Sequence, residues 1–188
     1  MNKKSKRKVW FTADPHFGHK NIIEYCDRPF SCVEEMDEYI VNMWNSCVGH
    51  NDEVFLLGDV SLFGYEGRVE CYLNRLSGSI TVIPGSHDYK WVQGFNDAGR
   101  VYQESGSGWK VCIEQPLCHR RLNGFDVVMC HYPLRTWHQS NRGSVQLHGH
   151  THGRLEPLAR QYDVGLDNND MQMVSLEFLQ ERFRDDSS

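Results

Sequence analysis

The sequence predicts an α/β fold in which short strands alternate with helices. Three observations carry this. Apolar runs of four to six residues break repeatedly into Gly, Pro or Asp. Stretches with hydrophobic residues at helical spacing lie between them. Five of the expected strands end in a short segment bearing Asp or His. In open α/β folds ligands bind beyond the carboxyl ends of strands, so side chains far apart in sequence can converge there.

Lys8 to Thr12 is an apolar run that breaks into Asp-Pro, the pattern of a strand entering a loop. Ser31 with Glu34 three residues on suggests a capping box. Met36, Ile40, Met43, Trp44 and Cys47 follow at helical spacing, which predicts a helix over 32–48 with Gly49 as its C-cap. Glu53 to Leu57 reads as a buried strand ending in Gly58-Asp59. Val69 to Leu76 reads as a second helix closed near Gly78. Ser79 to Ile83 is a strand running into Pro84-Gly85-Ser86-His87-Asp88. Arg100–Gln103 and Trp109–Ile113 suggest two short strands around a Gly-Ser turn. Phe125 to Cys130 is a strand delivering His131, and Ser144 to His148 one delivering Gly149–His152. Tyr162 to Leu166 reads as a last strand, and Ser175 to Phe183 as a closing helix with Ser175 as N-cap.

The 188 residues suit a single domain, with residues 1–7 a basic tail. At 39% hydrophobic and 24% charged, the composition is that of a soluble globular chain. A net charge of −5 lacks the electrostatic footprint of a duplex-coating protein, although bound metal ions would reverse the charge of a site locally. Val9-Trp10-Phe11 is too short for a signal-peptide core, and no run approaches the roughly 18 apolar residues of a membrane span. The seven cysteines are odd in number and form no C-x-x-C pair. Reduced thiols and a cytoplasmic location, in a bacterial cell or a phage-infected host, are the expectation.

Asp14 and His16 are two residues apart and share one side of an extended chain. Carboxylate with imidazole suits Mn²⁺, Fe or Zn²⁺. Gly58-Asp59 alone is an ordinary turn. Gly85 permits a sharp turn presenting Ser86-His87-Asp88 to a cleft, and a histidine beside a carboxylate can act as an acid; a surface turn is the plainer alternative. His131 alone reads equally as a satisfied core histidine. His150-Thr151-His152 between two glycines is the most specific piece, with a histidine-rich storage loop as its alternative, and His138 and His148 add to the local density. The ordered set is far rarer than any member. Two divalent ions about 3.5–4 Å apart need a shared carboxylate plus several N and O ligands, and Asp14, His16, Asp59, His131, His150 and His152 supply that mixture.

The ordered set resembles the calcineurin-like metallophosphoesterase family, whose pattern is D-x-H, G-D, G-N-H-[DE], a histidine, then G-H-x-H. Here the pieces are Asp14-Pro15-His16, Gly58-Asp59, Gly85-Ser86-His87-Asp88, His131 and Gly149-His150-Thr151-His152. Phe11–His19, Asn21-Ile22-Ile23, Arg28-Pro29-Phe30, Val164–Asp167 and Val174-Ser175-Leu176 are similar to a small bacterial and phage branch. The resemblance implies a sandwich of two mixed β-sheets flanked by helices in four layers, αββα. It implies that Asp14, His16 and His152 hold one metal, that His131 and His150 hold a second, and that Asp59 bridges them. Mn²⁺ is the expected ion, with Fe, Zn²⁺, Ni²⁺ or Mg²⁺ as alternatives. The implied reaction is attack of a metal-bridging hydroxide on a phosphodiester or phosphomonoester, with His87 protonating the leaving alkoxide and Asp88 orienting His87. The substrate would be a phosphoester, a nucleotide or nucleic acid among the candidates. Arg28 and Arg135 are candidate phosphate clamps, with a surface role the alternative for Arg135. His19 and Asn21 are candidates for the substrate side, with capping or core roles as alternatives.

The chain departs from the pattern at Ser86, where the family has an Asn ligand of the second metal. Serine is shorter and a poorer neutral oxygen donor. Two other readings therefore stand beside a working enzyme. One is a catalytically weakened or non-catalytic scaffold on the same fold, as in a retromer subunit. The other is a zinc-stabilised module, which would need closed four-ligand Cys/His sites that the spacing does not provide.

Overall fold

The computed structural model describes residues 7–62, 68–92, 101–103 and 110–184. These form strands β1 (Val9–Thr12), β2 (Glu53–Leu56), β3 (Ser79–Val82), β4 (Val101–Gln103), β5 (Lys110–Ile113), β6 (Leu117–Leu122), β7 (Phe125–Cys130), β8 (Val145–His148), β9 (Gln161–Asp163) and β10 (Val174–Ser175). The helices are α1 (Asn21–Tyr25), α2 (Val33–Cys47), α3 (Arg68–Leu73), α4 (Tyr89–Val92) and α5 (Leu176–Arg182).

Two mixed sheets result. The first has strand order β10-β1-β2-β3-β5-β4, with β1, β2, β3 and β5 parallel and an antiparallel strand at each edge. The second has order β6-β7-β8-β9, with β6 antiparallel to β7 and the rest parallel. Parallel strands place the chain exits of β1, β2 and β3 at one end of the first sheet. The exits of β7 and β8 meet them from the second.

Strand periodicity divides the core into two layers. Val54 and Leu56 of β2 face the helical side, where they join Met36, Ile40 and Trp44 of α2 and Leu73 of α3. Phe55 and the following Leu57 face the other way, into a cluster with Phe11, Val127, Met129, Val145 and Leu147 that fills the space between the sheets. Phe11 and Phe55 stack there at 5.6 Å, both essentially without exposure. Burial of each such ring contributes about 1.5–3 kcal/mol. Leu176 and Leu179 of α5 belong to this inter-sheet core. The outer face of the second sheet carries buried Val128, Gln146 and His148. It meets the segment after β7 through Gln146, whose side-chain oxygen accepts from the Leu134 amide.

Several expected boundaries shift. The Ser31 side chain pairs with Glu35 rather than Glu34, because Cys32 is the residue that flanks α2 and Glu35 then occupies its third helical position. Gly49 is not the cap of α2: the helix ends through Val48 in an extended conformation, and the Gly49 amide bonds Asp52 instead. Ser175 does cap α5, its hydroxyl accepting from the Phe178 amide. The strand expected at Tyr162–Leu166 ends earlier, at Asp163. Strand β6 was not expected at all, although Asn123-Gly124, both at positive φ, is a strong two-residue hairpin signal. Arg100, Trp109 and the intervening Gly-Ser turn lie outside the described residues, as does the basic tail through residue 6.

Candidate metal centre

The loops leaving β1, β2 and β8 are held in unusual backbone conformations. Asp14, His16, Asp59, His150 and His152 all have positive φ, between 49° and 69°. That region is uncommon for side-chain-bearing residues, and its concentration in one place marks a functional site. Gly58, at φ +83°, packs so closely on Gly85 that a Cβ on either would collide with the other loop or with Asp59. The two loops approach because neither residue has a side chain.

The residues expected as ligands fall into two groups whose donor atoms lie within 4.8 Å of one another: Asp14, His16 and His152, and Asp59, His131 and His150. Asp59 Oδ2 sits between them. It is 3.9 Å from His16 Nε2, 3.4 Å from His131 Nε2 and 3.8 Å from His87 Nε2. Asp14 Oδ1 and His16 Nε2 face each other at 4.0 Å, and neither has a hydrogen-bond partner despite being buried. A buried carboxylate oxygen and a buried imidazole nitrogen without partners are costly. A divalent cation between them would satisfy both, so the donor set fits the expected ions.

Other residues orient these donors. His131 Nδ1 donates to the Leu57 carbonyl at 2.8 Å, which turns Nε2 toward Asp59. His152 Nδ1 pairs with Asp167 at 2.6 Å, which fixes its ring beside that of His16. The His150 amide donates to Asp14 Oδ2 at 2.8 Å and ties the last motif to the first. Asp163 accepts from the Thr151 hydroxyl and the Gly153 and Gly165 amides, bracing the His150–His152 loop.

Electrostatics follow from burial and pairing. Complete burial pushes the Asp14 carboxyl up to about 7, against the pull of His131 and His152. Burial also opposes ionisation of Asp59, but its bond to His131 wins and holds the carboxyl well below the usual range. His131, against the effect of burial, is raised to about 9 by Asp59 and Asp14. His152, likewise against burial, is raised to about 10 by Asp167 and Cys26. Burial lowers His16 and His150.

Two expected roles change. Arg28 is not free to clamp a phosphate. It is buried, and its five N–H donors are engaged by both Asp167 oxygens, the Asp14 and Pro15 carbonyls and Met36 Sδ. Asp88 does not orient His87 by a hydrogen bond. Its carboxylate is wholly buried and accepts from the amides of Asp59, Val60 and Gly85 and from Trp91 Nε1. His87 itself is partly exposed beside Asp59, whose Oδ1 accepts its amide at 2.8 Å. Ser86 directs its hydroxyl onto the Asp59 carboxylate, at 3.0 and 3.2 Å. His19 is buried against His16, with Nδ1 to Nδ1 at 3.4 Å. Asn21 is exposed at the start of α1, and Arg135 is exposed after β7. Asp163 and the Cys26–His152–Asp167 grouping were not anticipated; Asp163 bonds the nearby Thr151, Gly153 and Gly165 with no motif to mark it, and Cys26 joins His152 and Asp167 from a distant part of the sequence.

Among known proteins, the calcineurin-like phosphoesterase pattern matches residues 7–154. An uncharacterized protein, MJ1445, from Methanocaldococcus jannaschii is 30% identical over 183 residues, covering 93% of this chain and 90% of its own. The gene 66 protein of Mycobacterium phage D29 is 31% identical over 182 residues, covering 85% and 87% respectively. The crystal structure of AQ665, a protein of unknown function from Aquifex aeolicus, superposes with a TM-score of 0.69 at 18% identity, covering 94% of this chain and all of that one. The chain belongs to the calcineurin-like phosphoesterase family, alongside small phage relatives.

Proposed function

We propose that this protein hydrolyses phosphoesters with two divalent ions, Mn²⁺ first among them, held by Asp14, His16, Asp59, His131, His150 and His152. The observation that carries this is the position of Asp59 Oδ2 between the two donor groups, with the unpartnered Asp14 Oδ1 and His16 Nε2 beside it. Ions bound there would supply Lewis-acid activation of water and neutralise charge on the phosphoryl oxygens. The protein's part is to hold and orient. Asp59 serves both groups, while Asp167 and the Leu57 carbonyl aim the imidazoles of His152 and His131. His87 and His150 both stand near Asp59 and open to solvent, but His150 belongs to a donor group that would hold an ion, which leaves His87 as the group that delivers a proton to the leaving oxygen. Asp88 acts at one remove, by fixing the loops that carry Asp59 and His87. We read the chain as one domain acting in the cytoplasm; its cysteines are unpaired, and no helix among the described residues is long and apolar enough to cross a membrane.

The test is hydrolysis of an aryl phosphodiester and an aryl phosphomonoester, each with Mn²⁺, Ni²⁺, Zn²⁺ and Mg²⁺. Metal-dependent turnover that His87→Ala reduces by about 10²–10⁴-fold supports the reading. No turnover with any ion, together with no effect of His87→Ala, favours a scaffold. One observation keeps that second reading in view: the Ser86 hydroxyl bonds the Asp59 carboxylate where the family places an amide ligand. It supports a weakened second site.

A further inference from the structure

Two exposed tyrosines stand at opposite ends of the candidate centre. Tyr132, 45% exposed, lies at 4.7 Å from the His150 ring and 4.9 Å from that of His131. On the other side, His16 contacts His19 at 5.4 Å, and His19 contacts Tyr25, 58% exposed, at 6.3 Å. The two halves meet at Asp59 Oδ2, within 4 Å of both His131 and His16. One exposed tyrosine needs no explanation. A pair bracketing a charged centre, each in edge contact with a site imidazole, does.

A cation stands beside Tyr25, and an exposed arginine follows Tyr132 in sequence. The Arg154 guanidinium reaches the Tyr25 carbonyl. Arg135, exposed, follows Tyr132 by three residues. An aromatic face with an adjacent arginine is the pairing by which proteins hold unpaired nucleotides, the base stacking on the ring and the cation meeting a phosphate. Stacking reads no base identity, so it needs none of the hydrogen-bonding pockets of a sequence-specific site.

Resting on the phosphoesterase reading above, we propose that the substrate is a phosphodiester with a nucleoside on each ester oxygen, a dinucleotide or a single-stranded nucleic acid, with one base on Tyr132 and the other on Tyr25. Cleavage adds water across one P–O ester bond: the water oxygen ends on phosphorus and its proton on the released hydroxyl. A monoester would engage only one of the two rings.

The test compares methyl 4-nitrophenyl phosphate with thymidine 5′-(4-nitrophenyl phosphate) on the full chain with Mn²⁺. These diesters share a leaving group and differ in the second planar group. The nucleoside ester should be favoured by about tenfold or more in kcat/KM, mostly through KM. One of Tyr132→Leu and Tyr25→Leu, the one on the nucleoside side, should remove most of that advantage, the other should weaken both esters alike, and Tyr→Phe at either position should keep the preference. Equal kcat/KM for the two esters, or a preference that both leucine variants preserve, overturns the proposal. Phosphorothioate-linked dithymidine, followed by intrinsic fluorescence, gives a binding readout independent of turnover. Binding weakened about fivefold or more by the leucine variants upholds the stacking role, and binding unchanged by them overturns it. If neither ester is hydrolysed with any ion, the phosphoesterase reading falls, and the binding result still decides the stacking. A thymidine decamer bound more tightly than dithymidine, with a steeper salt dependence, identifies single strands as the source; equal binding identifies the dinucleotide.

Discussion

The Asp88 carboxylate accepts the backbone amide of Asp59 at 2.7 Å, and the same carboxylate accepts the amides of Val60 and Gly85. One buried side chain thus joins the loop after β2 to the loop after β3, and sets the distance between the shared carboxylate of Asp59 and the imidazole of His87.

That arrangement separates stability from chemistry. Asp88→Ala removes the buried acceptor that four donors share. It should destabilise the fold by on the order of 3 kcal/mol, read from chemical denaturation, and weaken metal binding together with activity. His87→Ala removes a partly exposed ring and should change stability by about 0.5 kcal/mol or less while lowering turnover strongly. Matching stability losses in the two variants would refute the division of roles.

Ser86 offers a second measurement. Its hydroxyl now donates to Asp59, and a longer amide would reach further into the space beside His131 and His150. Ser86→Asn should raise occupancy of the weaker ion in a calorimetric metal titration and raise turnover with it. Equal stoichiometry and affinity in both proteins would show that serine, or water behind it, already completes the site.

A third concerns pH. In the metal-free protein Asp14 is raised to about 7, His131 to about 9 and His152 to about 10. A histidine raised on folding contributes stability that is full below its unfolded value near 6.5 and is lost as pH climbs through its folded value. A raised carboxyl acts in the same sense, its protonated form being favoured by the fold, with the loss running from about 4 to 7. His16, lowered by burial, works in the opposite direction from low pH toward 6.5 and adds nothing above it. The metal-free melting temperature should therefore fall between pH 6.5 and 9. Metal affinity should rise over the same interval, because binding displaces protons from His131 and His152. A metal-free melting temperature that is flat or rising from pH 6.5 to 9 would count against these pairings.

The donors were legible in the sequence, and their supports were not. Asp14, His16, Asp59, His131, His150 and His152 each follow a strand within a few residues, so a local pattern of apolar run, turn and polar residue marks them. The left-handed backbone of all of them but His131 leaves no such trace, because Asp and His at those positions look like Asp and His anywhere. Asp167 meets Arg28 across 139 residues and the His150 amide meets Asp14 across 136, and no spacing rule reaches that far. The core helix α2 was readable because fifteen residues repeat one apolar face. Strand β6 was missed because its pattern is mostly polar: it is an edge strand with largely exposed side chains, and only the Asn123-Gly124 turn announced it.

The reassignment of Arg28 can be tested directly. Its guanidinium and the Asp167 carboxylate form a two-point pair at 2.7 and 2.8 Å, with both side chains nearly free of exposure. The remaining N–H groups hold the Asp14 and Pro15 carbonyls in the turn that carries two candidate ligands. Lysine keeps the charge but not the planar fork, so Arg28→Lys cannot serve the carboxylate and both carbonyls together. It should cost about 2–4 kcal/mol of stability and weaken metal binding through Asp14, His16 and His152. The loss of turnover should be largely restored at high metal concentration, since the damage lies in ligand placement rather than substrate contact. A phosphate clamp behaves otherwise: KM for the phosphoester would rise with stability and metal affinity intact. Denaturation, metal titration and steady-state kinetics on this one variant distinguish the two, and the buried pairing with Asp167 predicts the first outcome.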